Sequence, residues 1–228
     1  MTTETEKPYD PEARGLRLVA VLLALTVVSG MIDAVSYLGL GHVFTANMTG
    51  NVVVLGFAAA GAQGFSVPHT LTSLVSFLVG ATAGGRVAVR FGGASRRTWA
   101  RVTLATEAVF VGASAVVAFA APGATGTTYT LIALTAFAMG LRNATVRKLG
   151  VPDLTTTVLT MTLTGLASDT RLAGGSGHRS PRRAAAVVAM LVGATLGAWL
   201  VIHHDLGIPL LIAALVSGAL AVVASGRE

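Results

Sequence analysis

The stretch 42-HVFTANMTGNVVVLG-56 contains no Asp, Glu, Lys or Arg and lies among apolar residues, yet it carries two Asn and two Thr. Asn47 and Asn51 are four apart, so on a helix they share one face. Hydrocarbon penalises polar groups that lack partners, and nothing in the local apolar pattern needs these side chains. Whether this stretch crosses a membrane as a plain helix, or dips in and turns back, decides the fold.

The surrounding chain is built for a membrane. It has 228 residues, 53% hydrophobic and 11% charged, with a mean hydropathy of +0.73. An ordinary soluble domain is about a quarter charged. Eight apolar segments can be marked, at about 16–40, 44–63, 68–90, 101–121, 128–146, 154–172, 184–203 and 208–225. Several reach the roughly 20 residues that about 30 Å of hydrocarbon requires. Pro68, Pro122, Pro152, Pro181 and Pro209 fall at or beside their edges, where helices start or stop. These features predict an all-α polytopic membrane protein whose principal partner is the lipid bilayer.

Residues 1–15 are polar and hold Glu4, Glu6, Asp10 and Glu12, which predicts a short disordered cytoplasmic tail. The first apolar run, Leu16 to Leu40, is too long for a signal-peptide core and reads as a retained helix. The net charge of +6 does not indicate nucleic acid. Lys and Arg sit in short segments between apolar runs, as in cytoplasmic loops, without the interleaved aromatics of a nucleic-acid surface. Cysteine is absent, which removes disulfides, thiol nucleophiles and thiolate metal sites. The His residues are scattered, with no H-E-x-x-H pattern. No metal, no cofactor and no enzymatic activity are expected.

Internal repetition organises the apolar segments. The third contains 78-LVGATAG-84 and the seventh 191-LVGATLG-197, 113 positions apart. The first ends in 30-GMIDA-34 and the fifth in 140-GLRNA-144, 110 apart. The second carries 49-TGNV-52 and the sixth 160-TMTL-163, 111 apart. Three matches in one order at nearly constant offset predict two membrane repeats, 16–121 and 128–225.

The basic residues indicate how each repeat threads. If all eight segments span, Lys and Arg divide evenly, eight to each side. If segments two and six enter and leave on the same side, all sixteen fall on one side together with both chain ends. Because loop Lys and Arg set orientation, the second threading is preferred. It predicts two inverted repeats, each of three spanning helices plus one re-entrant or broken helical segment, with both termini cytoplasmic. Eight spanning helices remain the alternative, since 44–63 as one helix would measure about 30 Å.

The residues that could carry chemistry lie in the special segments and beside them. Asp33 is an intramembrane carboxylate, a type that by default points to function; its repeat equivalent is Asn143. Asp33 suits a cation- or proton-coupling group, or equally a cap for the next segment. Asn47, Thr49 and Asn51 face a Thr ladder in the other repeat, Thr155, Thr156, Thr157, Thr160, Thr162 and Thr164. Asp33, Asn47, Thr49, Asn51, Asn143, Thr160 and Thr162 are therefore expected to gather near the midplane as a solute pathway, with helix-to-helix hydrogen bonding as the plainer reading. Glu107 is expected to lie near the interface with a snorkelled Arg101. Arg142 is either the cationic partner of Asp33 or an end anchor. Gly80, Gly84, Gly193 and Gly197 form G-x-x-x-G pairs for close helix packing, between the repeats or across a homodimer.

The run 30-GMIDAVSYLGLGHVFTANMTGNVVVLG-56, with 140-GLRNATVRKLG-150 and 154-LTTTVLTMTLTGLASD-169, resembles the YoaK family of bacterial integral membrane proteins. The likeness extends from about 16 to 225. It implies six helices and a bacterial cell membrane location, but no assigned activity. Met161 departs from the pattern, which has Gly after the Thr there, so a backbone break in the second half is softer or displaced. Function therefore rests on the residues. The leading expectation is a transporter or channel for a small solute; a membrane scaffold or sensor comes second and an intramembrane enzyme a distant third.

Overall fold

The computed structural model describes residues 11–91, 96–149, 159–169, 173–174 and 180–223. Thr155, Thr156 and Thr157 lie outside the described residues. Among those described there are eight helices and no strand: α1 (Pro11–Gly39), α2 (Met48–Ala59), α3 (Val67–Phe91), α4 (Arg96–Ala120), α5 (Thr125–Leu149), α6 (Leu159–Ser168), α7 (Ser180–His203) and α8 (Gly207–Val223). Pro11, Pro68, Pro181 and Pro209 occupy first turns, where a missing N–H costs no intrahelical bond. Helix α1 begins at Pro11, inside the span 1–15 expected to be disordered.

Among the described residues, four helices are long and apolar enough to cross a membrane: Val19–Gly39, Val67–Arg90, Thr98–Ala120 and Ser180–His203. Helix α8 is shorter, at 17 residues. Helix α5 has the length, 25 residues, but carries Arg142, Arg147 and Lys148. Large apolar side chains are exposed on most of the helices, including Val89, Val109, Val116, Leu191, Ile202 and Val222. A protein in water would hide many of these; a bilayer solvates them. The chain is an all-α polytopic membrane protein.

The long helices pack in the order α3, α5, α4, α8, α1, α7, with α2 resting on α3 and α6 on α7. Exchanging each helix for its repeat equivalent (α1 for α5, α3 for α7, α4 for α8) reverses this order and changes nothing else. The contacts obey the same rule. A Cβ on Gly80 would strike the Phe137 carbonyl, and one on Gly193 would strike that of Val27. Gly84 and Gly197 each lie so that a Cβ would come 2.7 Å from a carbonyl oxygen, of Leu141 and Met31 respectively. Glycine at these positions lets backbones approach where a side chain would hold them apart. The close approach is between the two halves of one chain.

Gly193→Ala is therefore expected to cost about 1–3 kcal/mol, the usual penalty for overpacking, read by unfolding in mixed detergent micelles. Gly56→Ala, where a Cβ meets nothing within 4 Å, serves as the control. Equal stability of the two variants would mean that the α1–α7 contact is not tight.

The contacts also fix direction. Thr103 of α4 bonds Thr145 of α5, and Glu107 bonds Arg142, so α4 starts where α5 ends. Gly39 at the end of α1 packs on Leu206 just before α8. One end of the bundle thus gathers Arg86, Arg90, Arg101, Arg147, Lys148, Arg182 and Arg183. The opposite end holds 40–47, 60–66, 121–124 and 204–206, which contain no Lys or Arg.

Helix α2 does not carry the chain between these ends. Its 12 residues span about 18 Å, well short of the roughly 30 Å of hydrocarbon. The turn that follows it returns to the start of the excursion, where a His42 ring nitrogen bonds the Gly64 carbonyl at 3.0 Å. Residues 40–47 run back along α1 as non-helical chain, and α2 climbs out again. The expected segment 44–63 is thus a loop and a half-length helix.

Candidate functional site

A loop at membrane depth must satisfy its backbone groups from within the protein. Side chains do this for residues 44–46. Asp33 Oδ1 accepts from the backbone N–H of Ala46 at 2.8 Å and of Thr45 at 3.3 Å. The Asn51 side-chain amide clamps Phe44 on both sides: Oδ1 accepts from its N–H at 2.8 Å and Nδ2 donates to its C=O at 2.6 Å. Ser73 Oγ of α3 donates to that same C=O at 2.6 Å and accepts from Asn51 Nδ2 at 2.9 Å. Asp33, Thr45, Asn51 and Ser73 are all buried. Asp33 lies six residues before the end of α1, about 9 Å along the axis.

Asn47 is the N-cap of α2, its Oδ1 accepting from the Gly50 N–H at 3.3 Å. The positive end of the α2 dipole therefore lies beside the Asp33 carboxyl. Tyr37 stacks on Phe44 at 4.8 Å and His69 meets Tyr129 edge-on at 4.7 Å, forming an aromatic rim at this end. Such rims belong to membrane interfaces.

The second polar centre lies one turn further down α1. Arg142 Nη1 pairs with Glu107 Oε1 at 3.0 Å, and Nη2 reaches Ser29 Oγ and Met139 Sδ. Ser217 Oγ of α8 donates to Glu107 Oε1 at 2.9 Å. Arg142 is 1% exposed and Glu107 0%. Arg142 is thus a buried partner of Glu107 rather than an end anchor, and Glu107 is not an interfacial residue held by Arg101. Glu107 Oε2 and Arg142 Nε are buried with no hydrogen-bond partner among the described residues. Asp33, one turn from Ser29 on α1, is bonded by the loop backbone, and Glu107 takes the ion pair with Arg142.

Repeat numbering locates this centre. Glu107 and Ser217 are equivalents, as are Ala108 and Gly218, and both pairs touch. Groups that touch their own equivalents straddle the pseudo-two-fold axis. Ser29 and Met139, which flank the guanidinium, are a third equivalent pair. One Arg and one Glu therefore break the symmetry of an axis formed from α1, α4, α5 and α8.

Of the seven residues expected to gather, Asp33, Asn47 and Asn51 meet around residues 44–50, and the others lie on α2, α5 and α6. Asn143 is half-buried on α5, and Thr162 is buried on α6. Thr49 and Thr160 are exposed on their helices. Helix α2 rests on α3 and α6 on α7, at opposite ends of the helix order. Helix α6 is fastened differently from α2: Arg183 Nη1 bonds the Gly165 carbonyl and pairs with Asp169, both at 2.6 Å. Sequence reasoning missed the Glu107–Arg142 pair and the partners Ser29, Ser73 and Ser217. The exact 110-residue offset of Glu107 from Ser217 was the available signal.

Comparison with known proteins agrees with the membrane architecture. The UPF0700 transmembrane protein YoaK of Bacillus subtilis (strain 168) is 37% identical over 152 residues, which are 65% of this chain and 65% of that protein. The match thus spans slightly less than two thirds of the relative's length. No solved structure matches. A family model described as "Protein of unknown function (DUF1275)" matches residues 21–223, and the chain belongs to that family.

Proposed function

We propose that this protein moves a small solute across the bacterial cell membrane, with the buried charges at its pseudo-symmetry axis as the ionisable element. One observation carries the reading: two carboxylates, Asp33 and Glu107, are buried near the axis with one buried cation, Arg142, which pairs with Glu107. With both acids ionised, the group carries one negative charge that no side chain in it balances. A proton or a small cation supplies the balance, which is how intramembrane carboxylates serve coupled transport. Asp33 also sits at the positive end of a half-length helix, as do substrate sites in transporters made of inverted repeats.

In this reading both termini and the basic end of the bundle are cytoplasmic, because Lys and Arg are retained on that side. A solute is the ligand and catalysis is not part of the reading. A scaffold role is the second reading. It is favoured by the saturation of Asn51 and Asp33 with loop backbone bonds, which is what a purely structural clamp needs.

Reconstituted liposomes separate the two. Solute entry is read by liposome swelling and proton movement by a trapped pH dye, across a panel of small neutral and cationic solutes. Wild-type protein is expected to give flux that empty liposomes lack. Asp33→Asn keeps an oxygen for the Thr45 and Ala46 N–H groups, so it should fold and lose the coupled movement. Absence of wild-type flux across the panel decides for the scaffold, and an Asp33→Asn variant with full flux removes Asp33 from the ionisable element.

A further inference from the structure

At the basic end of the bundle, Thr82, Gly85, Arg86, Val89 and Arg90 of α3 form a shallow groove with Lys148 of α5. Lys148 is anchored there, its Nζ bonding the Gly85 carbonyl at 3.3 Å. The α3 residues recur at helical spacing, so they share one face. That face continues along the helix as Leu78, Val75 and Leu71, exposed at 62%, 57% and 44%. A basic groove thus opens onto an apolar stripe. From Arg86 to Val75 the rise is about 16 Å, close to half of the roughly 30 Å hydrocarbon layer.

We infer that this groove holds the phosphate of an anionic phospholipid in the leaflet at the basic end, with an acyl chain lying along Leu78, Val75 and Leu71. Charge complementarity selects the occupant. Three cations line the groove and no acid does. The C-terminal dipoles of α3 and α5 oppose an anion with about half a charge each, so the side chains prevail. The repeat equivalents at the other end show what a groove without this ligand carries. Arg86, Arg90 and Lys148 correspond to Trp199, His203 and Leu38. Trp199 stacks on His203 at 5.0 Å, and both are exposed. Packing of the repeats therefore does not require three cations at these positions. A lipid phosphate uses all three, and the stripe keeps the headgroup attached to the bilayer rather than to solution.

The test uses the purified full-length protein and native mass spectrometry after equilibration in mixed micelles of phosphatidylglycerol or phosphatidylcholine. Wild type is expected to retain phosphatidylglycerol over phosphatidylcholine. Arg86→Gln and Arg90→Gln should each weaken retention about fivefold, the contribution of one basic residue near an anionic surface. Arg147→Gln makes the same charge change at the same end but outside the groove, and should retain lipid as wild type does. Melting in phosphatidylcholine checks that the exposed substitutions leave the fold intact. The inference is overturned if wild type shows no preference, or if Arg147→Gln loses as much as Arg90→Gln. It is equally overturned if inorganic phosphate displaces the lipid, which would mark a site for a soluble anion.

Discussion

Replacing Arg142 by methionine is expected to destabilise the protein by about 3–5 kcal/mol, the cost of leaving one member of a buried ion pair alone. Glu107 is fully buried, and without the guanidinium its Oε1 keeps only the Ser217 hydroxyl. Methionine is an apt probe because it fills similar space and adds no charge; Met139 already packs there. The loss should therefore come from the stranded carboxylate and not from a cavity. The double variant Glu107→Gln with Arg142→Met then becomes the informative protein. It removes both charges together, and replacing a whole buried pair is often neutral or stabilising. Recovery of most of the lost stability is expected, read by unfolding in mixed detergent micelles and by monodispersity in size exclusion. A single Arg142→Met variant as stable as wild type would mean that the pair does not hold the axis together.

This pair marks the limit of what the sequence discloses. Asp33 stood out because it is a lone acid in an apolar run, and the run itself makes the signal. Glu107 is equally buried, but Arg101 lies less than two turns away, and nearness along the chain suggested the wrong partner. Its true partner is 35 residues away on α5, a distance that only packing of the helices can close. The glycine pairs were legible because a backbone contact leaves an absent side chain in the sequence, and the duplication left each absence twice. The polar loop was legible as an anomaly, since Asn at membrane depth must answer something. What it answers was not, because its partners are backbone groups of Phe44, which any residue would present. Thr49 and Thr160 show the converse failure. Both matched the repeat and the polar pattern, yet they lie exposed, because membership of a polar segment does not determine which face of the helix a residue takes.

The direction of threading came from charge counting alone, and the Thr103–Thr145 and Gly39–Leu206 contacts bring Arg86, Arg90, Arg101, Arg147, Lys148, Arg182 and Arg183 to one end. Two arguments with no shared premise therefore agree on α2 as a half-length excursion. That excursion depends on a few bonds, and these make the sharpest remaining test.

Asn51→Leu is expected to cost about 3–5 kcal/mol and to release residues 44–46 from α1. Hydrogen bonds between membrane helices average only about 0.6 kcal/mol, because a chain unfolded within the bilayer also finds partners. Three such bonds would account for about 2 kcal/mol. The remainder comes from the half-buried Phe44 N–H, which loses its acceptor at membrane depth, at about 1–3 kcal/mol for an unsatisfied group. Its carbonyl keeps the Ser73 hydroxyl and adds little to the loss. Ser73→Ala should accordingly be milder, at about 1 kcal/mol, since Asn51 still holds both sides of Phe44. The chain lacks cysteine, so Ala46→Cys gives a single reporter at a position that is 1% exposed. Maleimide labelling of that cysteine should be slow in the parent, fast when Asn51→Leu is added, and little changed when Thr49→Ala is added. The Thr49 hydroxyl lies on the exposed side of α2 and does not hold the loop. Slow labelling with Asn51→Leu present would show that Asp33 alone keeps the loop in place, leaving Asn51 as an ordinary bond between α2 and α3.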